Sequence, residues 1–501
     1  MRLVDSKQMQ AMDHYTIETI GLSGLVLMEN AARSWVAAAE PVLKQAEGIT
    51  IFCGAGNNGG DGYAIARNLV SQGYVCQVVA VNPPKTSGCV TNARIWEAYG
   101  SAVSWEQFRE NDPRLSKNGV IVDAILGTGV ESDIRGSLVE ILHQIDRFPG
   151  TKMAVDIPSG ISASSGDLLG VSIRADHTIT FQVEKVGHHL YPGKAFAGKL
   201  SCQKITIQEN FFDFKPEYYL IEAGSVRPYL PERKPDDYKN RFGHLAVICG
   251  ATGTLGAALL ASQAAIKTGL GLLTAALPAS GRNVFPGRTP ELMTVDQEEI
   301  SADWLKRFNA LVVGCGLGRE SRLWGKIERL LQDDKIPAVI DADGFYGLRN
   351  WQGIHLQNRI LTPHPGEFAQ LSGFEKPKSN AERISQGLLF VEKTPTTLVL
   401  KGAPTLVFSP PGRVFVNGTG NVGMATAGSG DVLAGIIGGL LAQGRSPLHA
   451  ALLGTWLHGK SGDLYRADYG EESLTASCLI ETLGSAFQEL KKTGDTPRVE
   501  P

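Results

Sequence analysis

Two glycine-rich runs near opposite ends of the chain constrain the fold most. The first is Gly54-Ala55-Gly56-Asn57-Asn58-Gly59-Gly60-Asp61-Gly62. The second is Asn417-Gly418-Thr419-Gly420-Asn421, leading into Ala427-Gly428-Ser429-Gly430-Asp431-Val432-Leu433-Ala434-Gly435. Each is placed where bare backbone N–H groups at a helix start can meet a phosphate. A pair of tight turns without a ligand explains one such run more readily than both. Two runs, each with its own acidic residue, point to two catalytic units handling one kind of phosphorylated ligand.

At 501 residues the chain exceeds the size at which one hydrophobic core stops growing, so two domains are expected. The proline-rich, charged stretch Pro228–Asn240 lacks apolar periodicity and is the best linker, which gives domains at 1–225 and 226–501. In the first, apolar strands are expected at 49–53, 75–81, 120–124 and 152–156. Helices are expected at 6–16, 25–44, 63–72, 86–100 and 136–147, with 54–62 as loop. The alternation predicts an α/β fold, a Rossmann-like three-layer sandwich around a parallel sheet, with polar clusters at the strands' C-terminal ends. The second domain repeats the layer type, with strands at 244–249, 310–313, 338–341, 398–400 and 405–408. Its helices are expected at 256–268, 431–443 and 446–465.

A net charge of −3 gives no reason to expect a nucleic-acid or acidic-membrane partner. Seven scattered cysteines without CxxC spacing argue against a zinc site or a disulfide scaffold. The start carries acidic residues and no long apolar stretch, and later apolar stretches are interrupted by Lys267, Asp431 and Gln443. A cytoplasmic protein is expected. The apolar Leu22, Leu25, Val26 and Leu27 of the helical start are expected to join copies of the chain in a homo-oligomer.

In the first domain Asp123 ends a strand and is followed by Gly127-Thr128-Gly129, while Asp156 and Ser159 occupy the same place one strand later. Adjacent strand ends bring Asn58, Asp123 and Ser159 together as oxygen donors, a set suited to a hard cation. Turn capping is the alternative for each, and a helix N-cap is the alternative for Asp61.

Here the sequence resembles the epimerase domain of the NAD(P)H-hydrate repair enzymes, the YjeF N-terminal family, over residues 1–215. The resemblance is carried by MENAAR at 28–33, GAGNNGGDG at 54–62, DAILGTG at 123–129, VDIPSGI at 155–161 and FQVEKVGHHLYPGK at 181–194. It implies dinucleotide-hydrate binding through Asn58, Gly59, Gly60, Asp61, Gly127, Thr128 and Gly129. It also implies potassium held by Asn58, Asp123 and Ser159, and contact of Asp156 near the hydrated ring. Inversion at C6 of that ring, by ring opening or by loss and return of the hydroxyl, needs a carboxylate and a cationic partner. Asp156 and Lys185 are the candidates, although a lone lysine is ordinarily a solvated surface group. His188 and His189 are expected at the surface.

In the second domain Gly428, Ser429 and Gly430 precede a long apolar helix, with Asp431 at its start. An N-cap is one reading of Asp431. A base poised beside an anion hole explains the turn better. This pattern resembles the ribokinase-like fold. The match sharpens to the ADP/ATP-dependent NAD(P)H-hydrate dehydratases through KNRFGHLAVICG at 239–250, PELMTV at 290–295, VVGCGLG at 312–318, DADG at 341–344, LTPHPGE at 361–367, KGAPT at 401–405 and NGTGNVGMATAGSGDVLAG at 417–435.

The resemblance implies hydrate contacts from Gly253, Gly316, His364 and Asp431. It lays the nucleotide along Lys401, Gly402, Ala403, Pro404 and Thr405 and at Gly430. The implied reaction is phosphorylation of the C6 hydroxyl with Asp431 as base, then elimination of phosphate, with Mg²⁺ on the nucleotide phosphates. ADP is the expected co-substrate with ATP the alternative, since prokaryotic members favour ADP and the composition leans prokaryotic, and NADHX and NADPHX are the expected substrates. Two departures stand out: GATGTLG at 250–256 has Ala251 and Thr252 where a serine is expected, and Ala427 replaces a glycine. A ribokinase-type kinase fused to a regulatory domain and a non-catalytic scaffold are the competing readings.

Overall fold

The computed structural model describes residues 1–108, 115–209, 212–282, 285, 287–319, 322–332, 335–348 and 356–493. The end of the second expected domain, 494–501, lies outside the described residues. The chain forms two compact units: 2–218 with 379–381, and 219–378 with 382–501 and Met1. The division falls at Tyr218–Tyr219, ahead of the proline-rich stretch, and the strand Glu217–Ile221 stands beside Arg413–Asn417 in the second unit's sheet. Among the described residues no helix is long and apolar enough to cross a membrane.

The first unit is built on seven strands in the order Ala102–Ser104, Cys76–Ala80, Ile49–Cys53, Val120–Ala124, Thr151–Val155, His177–Phe181 and Lys199–Gln203. Every neighbouring pair is parallel. Successive side chains of a strand face opposite sides, so Ile51 and Cys53 join a core with Trp35 and Leu69 while Phe52 joins another with Leu142 and Phe148. Both faces are covered, as the near-continuous apolar strands predicted. Strand order reverses between Ile49–Cys53 and Val120–Ala124, and the crevice beyond their ends is where such sheets take ligands.

One expected boundary is wrong in an informative way. The helix runs Asn57–Ser71 with Gly56 as N-cap, so the asparagines and most of the glycine run are helical, and Asp61 is no cap. The glycines are needed for close approach. A Cβ on Gly59 would lie 2.0 Å from the Gly54 carbonyl oxygen, and one on Gly62 would lie 2.7 Å from Ala124 Cβ.

The second unit has a larger sheet. Met293–Asp296, Leu272–Leu277, His244–Ile248, Ala310–Val313, Ala338–Ile340, Arg359–Leu361 and Thr397–Leu400 run parallel. Leu406–Ser409 and Arg413–Asn417 extend it antiparallel. The helix Ser429–Ala442 is buried throughout Val432–Ala442 and packs on Leu255–Lys267. Such an all-round apolar helix belongs inside a fold.

Gly435 permits that packing, since a Cβ there would lie 2.1 Å from the Ala261 carbonyl oxygen. Overpacking of this kind costs ~1–3 kcal/mol. Gly435→Ala is therefore expected to lower the urea midpoint of the second unit's unfolding by that equivalent; an unchanged midpoint would mean the helices part freely.

Candidate active sites

At the switch point of the first unit lies a cavity of about 670 Å³, walled by Asn58, Asp61, Gly127–Gly129, Asp156, Lys185 and, from the first helix, Asp13. Gly59 and Gly60 are buried beside it, Gly60 packed near Cys89 and Met28. Asp123 and Ser159 are fully buried. Ser159 donates from Oγ to Asp123 Oδ1 at 2.6 Å and from its backbone N–H to Oδ2 at 2.8 Å, and Ile125 N–H adds a longer bond. Burial outweighs these bonds and pushes the Asp123 carboxyl up to about 6. The Asn58 carboxamide lies against Gly127, and its Nδ2 has no partner among the described residues.

Asp156 takes a positive φ of 69° and accepts from Lys185 Nζ at 2.5 Å and Thr180 Oγ1 at 2.8 Å. Lys185, the candidate charge partner of Asp156, is fully buried: its ammonium also donates to Thr180 Oγ1 and the Phe181 carbonyl. Lys185 and the hydrogen bonds hold the Asp156 carboxyl below its ordinary range despite burial. His188 is also buried, against expectation, and His189 is half-buried against Glu184. The His188 Nδ1 accepts from Lys185 N–H, so Nε2 carries the proton and donates to the Asp156 carbonyl at 3.0 Å. Burial, then Lys185, drives its pKa to about 3, leaving a neutral ring that orients the pair.

Two further carboxyls share the cavity. Burial, opposed by Lys185 and reinforced by Asp156, pushes Asp13 up to about 6; burial, Asp156 and Asp13 push Asp61 well above the ordinary range. Asp13 escaped the sequence analysis because nothing near it in sequence marks it; only the fold of Ser6–His14 carries it to the cavity. Of the apolar residues expected at an interface, Leu27 is in the core, whereas Leu25 and Val26 are exposed.

In the second unit Gly428 caps the helix Ser429–Ala442 with φ of 85°, which leaves Asp431 as its third residue and not its cap. Burial and Asp341 raise the Asp431 carboxyl to about 6, against the lowering effects of Cys315 and Lys401. Lys401 Nζ pairs with Asp341 Oδ1 at 2.7 Å and lies 3.7 Å from Glu367 Oε2. Thr362 Oγ1 donates to the same Asp341 oxygen. A Cβ on Gly430 would lie 3.3 Å from Lys401 Nζ, so the glycine turn, the lysine and both aspartates converge. Gly402 and Ala403 are exposed, Thr405 half-buried and Pro404 buried.

His364 has its Nδ1 engaged: it accepts from Gly366 and Glu367 N–H and caps the helix Pro365–Ser372. The ring is exposed, with Nε2 3.4 Å from Glu367 Oε1. Gly253 has φ of 94° and open space where a Cβ would stand. Thr254 Oγ1 donates to the Gly316 carbonyl and ties the two loops. Cys315, Asp341 and Glu367 stand inside motifs quoted above, yet only the fold shows that they meet.

Each unit thus places a lysine–aspartate pair, Lys185–Asp156 or Lys401–Asp341, and further carboxyls at the C-terminal end of a parallel sheet, the arrangement of two small-molecule enzymes in one chain. A YjeF-related protein N-terminus family matches residues 24–187, and an NAD(P)H-hydrate dehydratase family matches 245–484. A bifunctional NAD(P)H-hydrate repair enzyme of Moorella thermoacetica is 34% identical over 525 residues, covering 99% of this chain and 98% of its own. Two solved structures are each 27% identical. An ADP/ATP-dependent NAD(P)H-hydrate dehydratase of Bacillus subtilis covers 54% of this chain and 98% of its own, with a TM-score of 0.48. A ribokinase-like superfamily protein of Enterococcus faecalis covers 56% and 99%, with a TM-score of 0.49. The chain belongs to the family of bifunctional NAD(P)H-hydrate repair enzymes.

Removing one partner of a buried ion pair costs ~3–5 kcal/mol, because the other charge is left uncompensated. Lys185→Met is expected to destabilise the first unit on that scale and to raise the Asp156 carboxyl above its ordinary range. Chemical denaturation and a carboxyl titration by NMR check both.

Proposed function

We propose that the chain repairs hydrated NADH and NADPH in two steps. The first unit interconverts the R and S hydrates. The second dehydrates the S hydrate with ADP, releasing AMP and phosphate. The supporting observation is that one chain, related along its whole length to bifunctional repair enzymes, keeps a lysine–carboxylate pair among further carboxyls in each unit.

In the epimerase site Asp156 and Lys185 face the hydrated ring and move the proton that inversion at C6 requires. The backbone of 58–61 and 127–129 takes the dinucleotide. The carboxyl of Asp123, fully buried and bonded to neutral donors, fits a hard monovalent cation. Asn58, Asp123 and Ser159 would hold potassium, which would supply a fixed positive charge to offset that of the anionic ligand.

In the dehydratase site Asp431 takes the C6 hydroxyl proton as the oxygen attacks the terminal phosphorus of the nucleotide. The amides of Gly428, Ser429 and Gly430 meet the transferring phosphoryl. Elimination then breaks the C6–O bond as phosphate leaves and the C5–H bond as its proton passes to the departing phosphate, so the C5=C6 double bond of the dihydronicotinamide is restored. Phosphate leaves far more readily than hydroxide, which accounts for nucleotide use in a formal dehydration. Lys401 exchanges its carboxylate partners for a phosphate, with Gly402–Thr405 beside the nucleotide. Gly253 and Gly316 border the hydrate, to which His364 offers Nε2.

Among the described residues Cys315, Asp341 and Asp431 have metal-ligand spacing. A thiol and a lysine-paired carboxylate make a poor magnesium cage, so Mg²⁺ belongs on the nucleotide phosphates. The reading puts the chain in the cytoplasm with the NAD(P)H pool, and puts a second copy on Leu25 and Val26.

Asp431→Asn keeps the shape and removes the base. General bases contribute about 10²–10⁴-fold in rate, so steady-state dehydration of the S hydrate should fall by that factor while epimerisation stays normal. A fall under about fivefold would leave Asp431 without the role. Asp123→Asn is expected to abolish potassium dependence of the epimerase rate; equal rates in potassium and lithium for the parent chain would remove the cation from this reading.

A further inference from the structure

Two lysines line the cavity of the first unit. Lys185 is enclosed and spent on Asp156 at 2.5 Å. Lys85 is exposed, and among the described residues no carboxylate pairs with it. Its place is set by the backbone: Lys85 N–H donates to the Ala55 carbonyl at 2.8 Å, and Thr86 N–H reaches the same oxygen at 3.4 Å. The loop after the strand Cys76–Ala80 is thereby tied to the glycine run, and Pro83 and Pro84 restrict its φ angles. Lys85 therefore stands beside the first turn of the helix Asn57–Ser71, whose open amides suit a phosphate.

Charge is distributed unevenly along this cavity. Asp156 follows the strand Thr151–Val155 and Lys185 lies beyond His177–Phe181, whereas Lys85 follows Cys76–Ala80. Between Cys76–Ala80 and Thr151–Val155 the sheet crosses Ile49–Cys53 and Val120–Ala124. Strand spacing makes that crossing about 14 Å. The stretch 81–88 around Lys85 holds no Asp or Glu. A ligand with an uncharged ring at one end and phosphates toward the other matches this polarity. Sheets of this kind read the adenosine ribose at the end of the strand that follows the glycine run, with an acid for a free hydroxyl and a cation for a 2′-phosphate. Here a cation stands at that strand end without an acid.

We propose that Lys85 binds a phosphate of the dinucleotide hydrate and holds its adenosine half at the end of the cavity away from Asp156. The inference deepens the epimerase reading and rests on it. The ammonium supplies a point charge and the amides at the start of Asn57–Ser71 supply directed donors, so the two are complementary. Binding there leaves the hydrated ring beside Asp156 and Lys185.

The test is steady-state epimerisation of the NADH and NADPH hydrates by the full chain, with ADP withheld so that the second unit stays idle. Lys85→Gln keeps the length of the side chain and removes the charge, and Lys85→Arg keeps the charge. A charge-assisted contact at an exposed position should raise KM about three- to tenfold in Lys85→Gln. Lys85→Arg should recover most of that loss, and equal unfolding midpoints check that both variants fold. A loss confined to the NADPH hydrate assigns Lys85 to the phosphate that distinguishes it, and an equal loss on both hydrates assigns it to the pyrophosphate. An unchanged KM for both hydrates, a fall in kcat alone, or an arginine variant no better than glutamine would overturn the proposal. Should the parent chain fail to turn over either hydrate, the epimerase reading falls, and NMR titration with inorganic pyrophosphate, read at the Gly56 and Gly59 amides, decides the phosphate contact. Weaker binding in Lys85→Gln then supports it, and equal binding rejects it.

Discussion

Close approach of backbone to backbone is the constraint on which both units rest. At Gly54 a Cβ would stand 1.9 Å from the Ile125 carbonyl oxygen, and at Gly435 and Gly438 it would strike Ala261 and Val312. These contacts seat the loop before the helix Asn57–Ser71 against the Ile125 backbone, and the helix Ser429–Ala442 against the helix Leu255–Lys267 and the strand Ala310–Val313. Amides, carboxyls and lysines from separate strands then meet in a small volume. Without that approach the same residues would line a wider, wetter crevice, where a lysine and an aspartate interact weakly.

The layer order, the parallel strands and the setting of polar clusters at the strands' C-terminal ends were legible because strand apolarity and glycine punctuation are local signals. The glycine run at 54–62 was misread for a physical reason. Glycine serves flexibility and close packing alike, and a sequence does not say which until the partner surface is present. The strand His177–Phe181 and the helix Ala476–Lys492 went unread because neither carries a turn signal strong enough to frame it.

Burial of charge was the least legible property. Lys185 and His188 lie in a segment whose composition resembles a surface loop, yet both are enclosed, and each makes sense only beside Asp156. Asp13 reaches the cavity from the first helix, far in sequence from every other wall residue that carries charge. Cys315 and Asp341 sat in recognised motifs without a role, since a motif reports spacing along the chain and not which neighbour a side chain finds across a sheet.

The carboxyls with raised pKa have a thermodynamic side. Asp13, Asp123 and Asp431 each titrate near 6 in the folded chain against an ordinary value of 3.8. Between those values the folded state holds protons that the unfolded state has released, so the stability these groups lend is present below about pH 4 and lost as pH rises through 6. At neutral pH the protein therefore carries poorly solvated negative charge at these three positions at a cost to its own fold. A cation or protonated ligand bound beside these carboxyls would return that stability, which would make occupancy a contribution to folding as well as to catalysis.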